Sequence, residues 1–163
     1  MDKVELIKSE TDNLLKKIID KYEVEVTEDD AVYHVMIKTK EEAPVVIGRH
    51  GETIKAIQKI LEVVLYKQLG ESVEVLVNVN DYREKQKERL EQLAEKFVQK
   101  TKDTKSASYL RGLSSYERKL VHEYIVDNYP ELTSYSEGEG KDRRLVLDLK
   151  ENAPEAEDEN KAE

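Results

Sequence analysis

Two glycines separated by two residues most constrain how this chain can fold. The stretch "VVIGRHGETIKAI", residues 45–57, places an arginine and a histidine between Gly48 and Gly51, in a chain that has 6 glycines among its 163 residues. An apolar triplet precedes the glycines and a helical pattern follows them. Because glycine lacks a Cβ atom, this spacing predicts a tight turn between two helical segments, with a backbone that a ligand can approach closely.

The residues around the two glycines suit an anion. A helix that begins after the turn points its first N–H groups and its positive dipole end at the loop, which favours a phosphate. Arg49 adds a charge-assisted donor and His50 adds a polar or stacking edge. A Gly-x-x-Gly tetrad is also a common structural turn, so the tetrad alone leaves both a plain turn and a nucleic-acid clamp open.

The hydrophobic pattern up to residue 80 predicts a mixed α/β unit. Helical spacing alternates with period-two spacing along it, Pro44 suits the first turn of a short helix, and Gly70 suits a helix end. The predicted order is helix 4–21, strand 22–26, turn 27–31, strand 32–40, a short helix from Pro44, the glycine turn, a helix ending at Gly70, and strand 72–80.

A long charged helix, residues 81–101, is predicted next, and we place a domain boundary near residue 80. Ser114 and Glu117 form the sequence signature of a capping box at the start of a later helix. The elements predicted after the charged helix are strand 105–111, helix 114–129, strand 132–137, turn 136–143 and strand 143–149. The predicted domains are residues 1–80 and 81–150, followed by an acidic tail, residues 151–163.

Charge is unevenly distributed along the chain. The formal net charge is −9, and the tail alone contributes −5, which leaves −4 for the first 150 residues. Residues 99–122 hold six Lys or Arg against two acids, so a locally basic segment lies inside an acidic protein. The tail has no large apolar residue and is expected to be disordered.

Composition excludes several classes of site. The chain has no cysteine, so disulfides, thiolate nucleophiles and cysteine–zinc sites are excluded. The polar start and the lack of an apolar run of about 20 residues predict a cytoplasmic protein without a membrane span. The histidines, His34, His50 and His122, are scattered, so we expect no metal, no cofactor and no catalytic residue. A Ser114–His122 nucleophile–base pair is the enzymatic alternative.

The order of elements in residues 1–80 resembles the type II KH arrangement, α-β-β-α-α-β. "VIGRHGETIKAI" is similar to the central motif of that family. The resemblance implies that the loop of Gly48, Arg49, His50 and Gly51 contacts the nucleic-acid backbone. It also implies that Ile47 and Ile54 flank the loop and help to form an apolar groove for bases.

The second half resembles a different nucleic-acid-binding domain. Arg118 and His122 share one face of the capped helix, and "LSSYERKLVHEYI" followed by "TSYSEGEGKDRRLVL" is similar to the single-stranded nucleic-acid-binding domain named after its Arg-x-x-x-His motif (R-three-H). The resemblance implies that Arg118 holds a phosphate and that His122 either supports Arg118 or stacks on a base. The surrounding positive field is assigned to Lys105, Arg111 and Lys119.

A KH domain followed by an R-three-H domain resembles the bacterial Jag family, also called KhpB or EloR, over residues 20–149. The implied fold class is α+β, with a small, mostly antiparallel sheet in the second domain. The implied function is that of an RNA-binding regulator or RNA chaperone, with single-stranded DNA as an alternative ligand and a second small KH protein as a candidate partner. No catalysis is implied.

Two further expectations complete the sequence-based interpretation. Longer family members carry an N-terminal Jag-N domain, whereas this chain starts almost directly at the KH helix, so partnerships that depend on that domain are not implied.

The alternative function is a protein-interaction scaffold in cell-envelope or division processes, with secondary nucleic-acid binding. Its candidate partner surface is the acidic region 1–47, which has 12 acids and 7 lysines.

Overall fold

The computed structural model describes residues 2–153, and these separate into two compact units, one up to Lys85 and one from Gln86 onward. The sequence predicted a boundary near residue 80, where the long charged helix starts. That helix runs from Tyr82 to Thr104, so its first residues belong to the first unit and the remainder to the second.

The first unit has the predicted α-β-β-α-α-β order, and a three-stranded sheet forms its centre. The β1 and β2 strands are antiparallel, whereas β2 and β3 are parallel, in the order β1-β2-β3. A short three-ten turn, Arg49–Gly51, separates the second and third helices. The elements are α1 (Lys3–Leu15), β1 (Glu23–Asp29), β2 (Val32–Lys38), α2 (Ala43–Ile47), α3 (Glu52–Leu69) and β3 (Glu74–Val79).

Helix α3 packs against this sheet and shares its core with residues of α1. Its apolar residues recur at helical spacing and therefore fall on one face, which is buried against the strands. The strands contribute alternate residues to the same core, because period-two side chains point to one side of a sheet. The buried residues of α3 are Ile54, Ile57, Leu61 and Leu65, and those of β2 and β3 in the core include Val35, Ile37, Val75 and Val77.

The β1–β2 hairpin differs from its prediction. The strands extend to Asp29 and from Val32, so the turn comprises Asp30 and Ala31 rather than residues 27–31. Both turn residues have positive φ, 45° and 66°, as a two-residue hairpin requires to match the strand twist. The last residues of β1 are exposed and polar. This composition is typical of a loop and explains why the sequence predicted a turn from residue 27. Helix α1 also ends earlier than predicted, at Leu15.

The second unit packs two helices on one face of a three-stranded antiparallel sheet. The strand order is β4-β6-β5, and both strand pairs are antiparallel, as predicted. Residues from both helices join Leu145 and Leu147 in one core. The elements are α4 (Tyr82–Thr104), β4 (Ser108–Leu110), α5 (Ser115–Asn128), β5 (Leu132–Glu137) and β6 (Arg144–Leu149).

The predicted capping box at the start of α5 is confirmed. The Glu117 N–H donates to Ser114 Oγ at 3.2 Å, and the Ser114 N–H donates to Glu117 Oε2 at 2.8 Å. Glu117 is also fully buried and accepts hydrogen bonds on Oε1 from Arg89 and Gln86 of α4, at 2.9 and 3.3 Å. This residue therefore both caps α5 and joins it to α4.

The predicted tail, residues 151–163, begins with three described residues. Residues 151–153 form a turn in which the Asn152 N–H donates to Leu149 O at 3.0 Å. The Asn152 side chain donates to the carbonyl oxygen of Lys105 at 3.3 Å. The rest of the tail, residues 154–163, lies outside the described residues.

Candidate nucleic-acid interface

The loop between α2 and α3 reverses the chain through backbone conformations that glycine favours. Gly48 has φ 69° and ψ −179°, and Gly51 has φ 76° and ψ 17°. His50 between them also has a positive φ, 54°. Three positive φ values within four residues make the turn tight, and α3 begins directly after it.

Packing also restricts both glycine positions, and more strictly at Gly48 than at Gly51. A Cβ atom at Gly48 would lie 2.1 Å from Thr53 Oγ1 and 2.9 Å from the Thr53 nitrogen. A Cβ atom at Gly51 would lie 3.0 Å from Cε1 of Tyr82. A side chain at Gly48 would therefore clash with Thr53, including its main chain, whereas one at Gly51 would require the Tyr82 ring to shift by a few tenths of an ångström.

The polar residues of the loop are accessible. Arg49 is exposed and His50 is half-buried, and both lie at the N-terminal end of the 18-residue helix α3. Glu52, in the first turn of α3, contributes a negative charge at the same end. Arg49 is therefore the loop residue that supplies a full positive charge to an approaching anion.

The two isoleucines expected to flank the loop differ in exposure. Ile54 is only 2% exposed and belongs to the core of the first unit. Ile47 is half-buried and packs against the same core. The helical spacing that made Ile54 a candidate is the spacing that turns it inward. Helix α2 instead exposes Val45, at 55%, which sequence reasoning did not select.

In the second unit, α5 and the neighbouring strands surround a shallow cavity of about 500 Å³. Arg118 and His122 come from successive turns of α5, and Lys119 lies beside them. Strand β5 and the start of β6 form the other wall. The lining residues are Ser115, Arg118, Lys119, His122, Ser134, Tyr135, Ser136, Arg143 and Leu145.

Arg118 and His122 are held separately. Arg118 Nη1 donates to Leu113 O at 2.7 Å and its Nη2 donates to Ser115 Oγ at 3.2 Å. His122 Nδ1 lies 2.6 Å from Oγ of Ser134. Main-chain and serine oxygens therefore orient the Arg118 guanidinium, and His122 pairs with Ser134 rather than with Arg118. Arg118 has further N–H donors, and His122 has Nε2, to offer to a ligand.

These contacts also separate the residues of the enzymatic alternative. Ser114 Oγ accepts the Glu117 N–H as the helix cap, whereas His122 pairs with Ser134. Ser114 and His122 therefore do not form a nucleophile–base pair in this structure. Within residues 2–153, no three His, Asp or Glu side chains cluster in a way that could hold a metal ion.

Among the polar cavity residues that sequence reasoning missed are Arg143, Ser134 and Ser136. Arg143 is exposed, and its Nη1 donates to Gly138 O at 2.9 Å. Ser134 and Ser136 lie two residues apart on β5 and therefore point to the same face. The paired arginines of "KDRRL" and the alternation in "TSYSE" were the available signals. Neither signal shows that these residues meet α5.

The structure does not bring all of the predicted cations together. Lys119 lines the cavity and lies 3.7 Å from Glu123 in an ion pair. Lys105 and Arg111 are exposed but flank β4, which is on the opposite edge of the sheet from β5. The cations at the cavity are therefore Arg118, Lys119 and Arg143.

None of the helices within residues 2–153 combines the length and the apolar character that crossing a membrane requires.

Comparison with known families gives a match to each unit. The family model described as the KhpA/KhpB KH domain matches residues 8–77, and the model of the R-three-H domain matches residues 88–149. These ranges contain the glycine loop and the cavity, respectively.

Three relatives share the name "RNA-binding protein KhpB". The Bacillus subtilis protein is 32% identical over 92% of this chain and 72% of its own length. The Lactiplantibacillus plantarum protein is 34% identical over 64% of this chain and 32% of its own length. The Streptococcus pneumoniae protein is 31% identical over 89% of this chain and 45% of its own length, so the chain spans less than half of that protein. The chain belongs to the KhpB family, in which a KH domain is followed by an R-three-H domain.

Proposed function

We propose that this protein binds single-stranded RNA through two sites, the glycine loop of the KH unit and the Arg118 cavity of the R-three-H unit. The observation that carries the proposal is that one chain contains a tight loop with two glycines at positive φ and a cavity lined by three cations. The relatives named RNA-binding proteins support it. The protein would act as a regulator or chaperone of RNA in the cytoplasm, by binding rather than by catalysis.

Each site has a defined role in the proposal. The loop backbone and Arg49 hold phosphates at the start of α3. In the second unit Arg118, already oriented by Leu113 and Ser115, holds another phosphate. His122 offers Nε2 to a base or a ribose hydroxyl, with the ring fixed by Ser134. Binding at one site raises the effective concentration of RNA at the other, so two individually weak sites together bind the RNA more tightly than either site does alone.

The acidic net charge of the protein does not oppose this assignment at the cavity. Glu117 lies one residue before Arg118, but its side chain is fully buried and paired with Arg89. The negative charge next to Arg118 in the sequence is therefore directed away from solvent. Local fields at the binding surface, not the total charge, govern the approach of a phosphate.

The double substitution Arg49→Asp and His50→Asp tests the loop. We expect affinity for a labelled single-stranded RNA to fall by about tenfold to a hundredfold, because a charge-assisted contact is lost and two carboxylates oppose the phosphate. Fluorescence anisotropy measures the affinity, and circular dichroism checks the fold. Lys17→Asp, at an exposed position of the same unit, is the matched control and should bind nearly as the wild type does. Unchanged affinity in a folded double variant would contradict the loop assignment.

Salt dependence tests the cavity. Arg118→Ala and Arg143→Ala should each lower the slope of log affinity against log salt by about 0.7, the single-strand value for one phosphate contact. His122→Ala should change the slope less, because its proposed contact is with a base or a ribose hydroxyl rather than with a phosphate. Lys105→Ala is the control, since Lys105 lies away from the cavity. Equal slopes for Arg118→Ala and the wild type would remove Arg118 from the interface.

A second candidate function is protein interaction, and one surface favours it. Helix α3 exposes Ile60, Val63 and Tyr66 at 47%, 59% and 57%, on the face opposite its buried stripe. An exposed apolar stripe of this kind suits a second small KH protein, the candidate partner named above. Copurification with and without nuclease treatment separates the two functions, because a partner that survives nuclease is bound directly.

A further inference from the structure

The face of the second sheet opposite α4 and α5 carries an aromatic row. Tyr109 of β4 and Tyr135 of β5 both pair with Val146 of β6, so the three residues lie in one row across the sheet. The neighbouring residues Leu145 and Leu147 belong to the core beneath the helices. Because side chains alternate between the faces of a sheet, the Tyr109–Val146–Tyr135 row lies on the other face.

The two tyrosines of this row are accessible, whereas the valine between them is buried. Tyr109 is 45% exposed, and Tyr135 is half-buried. Val146 between them is only 1% exposed although it lies outside the core beneath the helices. The two flanking tyrosines therefore form an aromatic ridge beside the covered valine.

An arginine next to the ridge is positioned over one of its rings. The Arg144 guanidinium lies 4.2 Å from the centroid of the Tyr109 ring, a cation–π geometry. Glu137, which pairs with Arg144 across the strands, accepts a hydrogen bond from Arg144 Nε at 2.7 Å and another from Nη2. Burial and, secondarily, the Glu137 charge raise the pKa of Tyr135, so its phenol stays neutral at physiological pH.

The ridge is continuous with the cavity through β5 and the start of β6. Ser134 and Ser136 lie on the face toward α5, whereas Tyr135 between them, which also borders the cavity, alternates to the opposite face. Arg143 lines the cavity, and the next residue, Arg144, lies on Tyr109. Since β5 is an edge strand, a polymer that leaves the cavity can cross this edge and reach Tyr135 without passing through the core.

We propose that the open face of this sheet is a further RNA contact of the second unit, beside the cavity, on which bases stack against Tyr135 and Tyr109 while Arg143 and Arg144 accompany the backbone between the cavity and the ridge. The inference rests on the proposed function and adds to it a base-binding surface that the Arg-x-x-x-His motif does not contain. A nucleobase fits the ridge because an aromatic ring beside a cation is the pair of features that single-stranded nucleic acid uses for stacking and charge.

A single tryptophan provides a direct test, because the natural chain has none. Tyr109→Trp places the only tryptophan on the ridge, and Tyr66→Trp places it at a 57% exposed site of the first unit as a matched control. On addition of a short mixed-sequence single-stranded RNA, we expect emission to be quenched in Tyr109→Trp and unchanged in Tyr66→Trp. An abasic strand of the same length should quench neither.

Affinity provides the second measurement. Tyr135→Leu keeps Val146 covered but removes a ring, and it should weaken binding of the mixed-sequence RNA by about tenfold, within the range known for one stacked base. Its salt slope and its affinity for the abasic strand should match those of the wild type, unlike those of Arg118→Ala. Tyr135→Phe should retain wild-type affinity.

The outcomes separate this inference from the proposed function. Bound RNA with unchanged emission in Tyr109→Trp and unchanged affinity in Tyr135→Leu overturns the ridge and leaves the cavity and the loop in place. A wild-type protein that binds no single-stranded RNA overturns the proposed function and the ridge together. If Tyr135→Leu fails to fold, quenching of the Tyr109→Trp emission by RNA supports the ridge, and unchanged emission with bound RNA overturns it.

Discussion

Replacing Glu117 with alanine is expected to lower the free energy of unfolding of the second unit by about 2–4 kcal/mol, because a buried acceptor serving several donors is lost. Ser114 N–H loses its capping partner, and Gln86, itself buried, loses an acceptor. Arg89 limits the effect, since its side chain is 65% exposed and water can hydrate it. Urea denaturation followed by circular dichroism measures the change.

Glu123→Ala is the matched control for this prediction. Glu123 lies on the same helix, its side chain is 52% exposed, and its ion pair with Lys119 spans 3.7 Å. An exposed pair of this kind contributes less than about 1 kcal/mol, so the control should unfold close to the wild type. If Glu117→Ala is as stable as Glu123→Ala, the buried carboxylate is not what joins α5 to α4.

The Gly48→Ala substitution should have a comparably large effect in the first unit. The glycine has φ 69° and ψ −179°, a region that other residues occupy at a cost of about 1–3 kcal/mol. The added Cβ atom would also lie 2.1 Å from Thr53 Oγ1 and 2.9 Å from the Thr53 nitrogen, which is main chain at the start of α3. We expect the clash to lower the free energy of unfolding by about 2 kcal/mol in addition to the cost of the backbone strain. The RNA affinity should fall as well.

Gly70→Ala separates strain from packing. Gly70 also has a positive φ, 72°, but a Cβ atom there would meet nothing within 4 Å. This variant should lose only the cost of the left-handed backbone conformation, about 1–2 kcal/mol, and keep wild-type affinity for RNA. Equal destabilisation of the two variants would mean that Thr53 moves aside, and that the glycine loop is not held rigidly.

The features that the sequence predicted well are local in the chain. The glycine turn, the Ser114–Glu117 capping box and the Arg118–His122 spacing each depend on residues within one or two helical turns of one another. Local backbone geometry alone brings such residues together. The first sheet was also predictable in outline, because strand alternation in β2 and β3 and the helical stripe of α3 match the period of each element.

The sequence-based expectations differ from the structure where local composition or spacing does not reveal the position of a residue in the fold. The polar end of β1 has the composition of a loop, yet it pairs with β2 as far as Asp29. Ile54 follows the glycine loop directly, but the same spacing that places it on α3 directs it into the core. Lys105 and Arg111 lie close to Arg118 in the sequence, and the strand order places them on the other edge of the sheet.

The sequence by itself determined the two units and their order, the glycine loop, and the helix that carries Arg118 and His122, because these depend on short-range spacing and backbone preference. Only the tertiary structure decided which residues complete the sites. Ser134 and Arg143 reach the cavity through the antiparallel pairing of β5 and β6, and Glu117 becomes a buried link when α5 packs on α4. The Tyr109–Val146–Tyr135 row exists because one strand register aligns three distant residues, and a register is fixed by long-range pairing rather than by any local pattern.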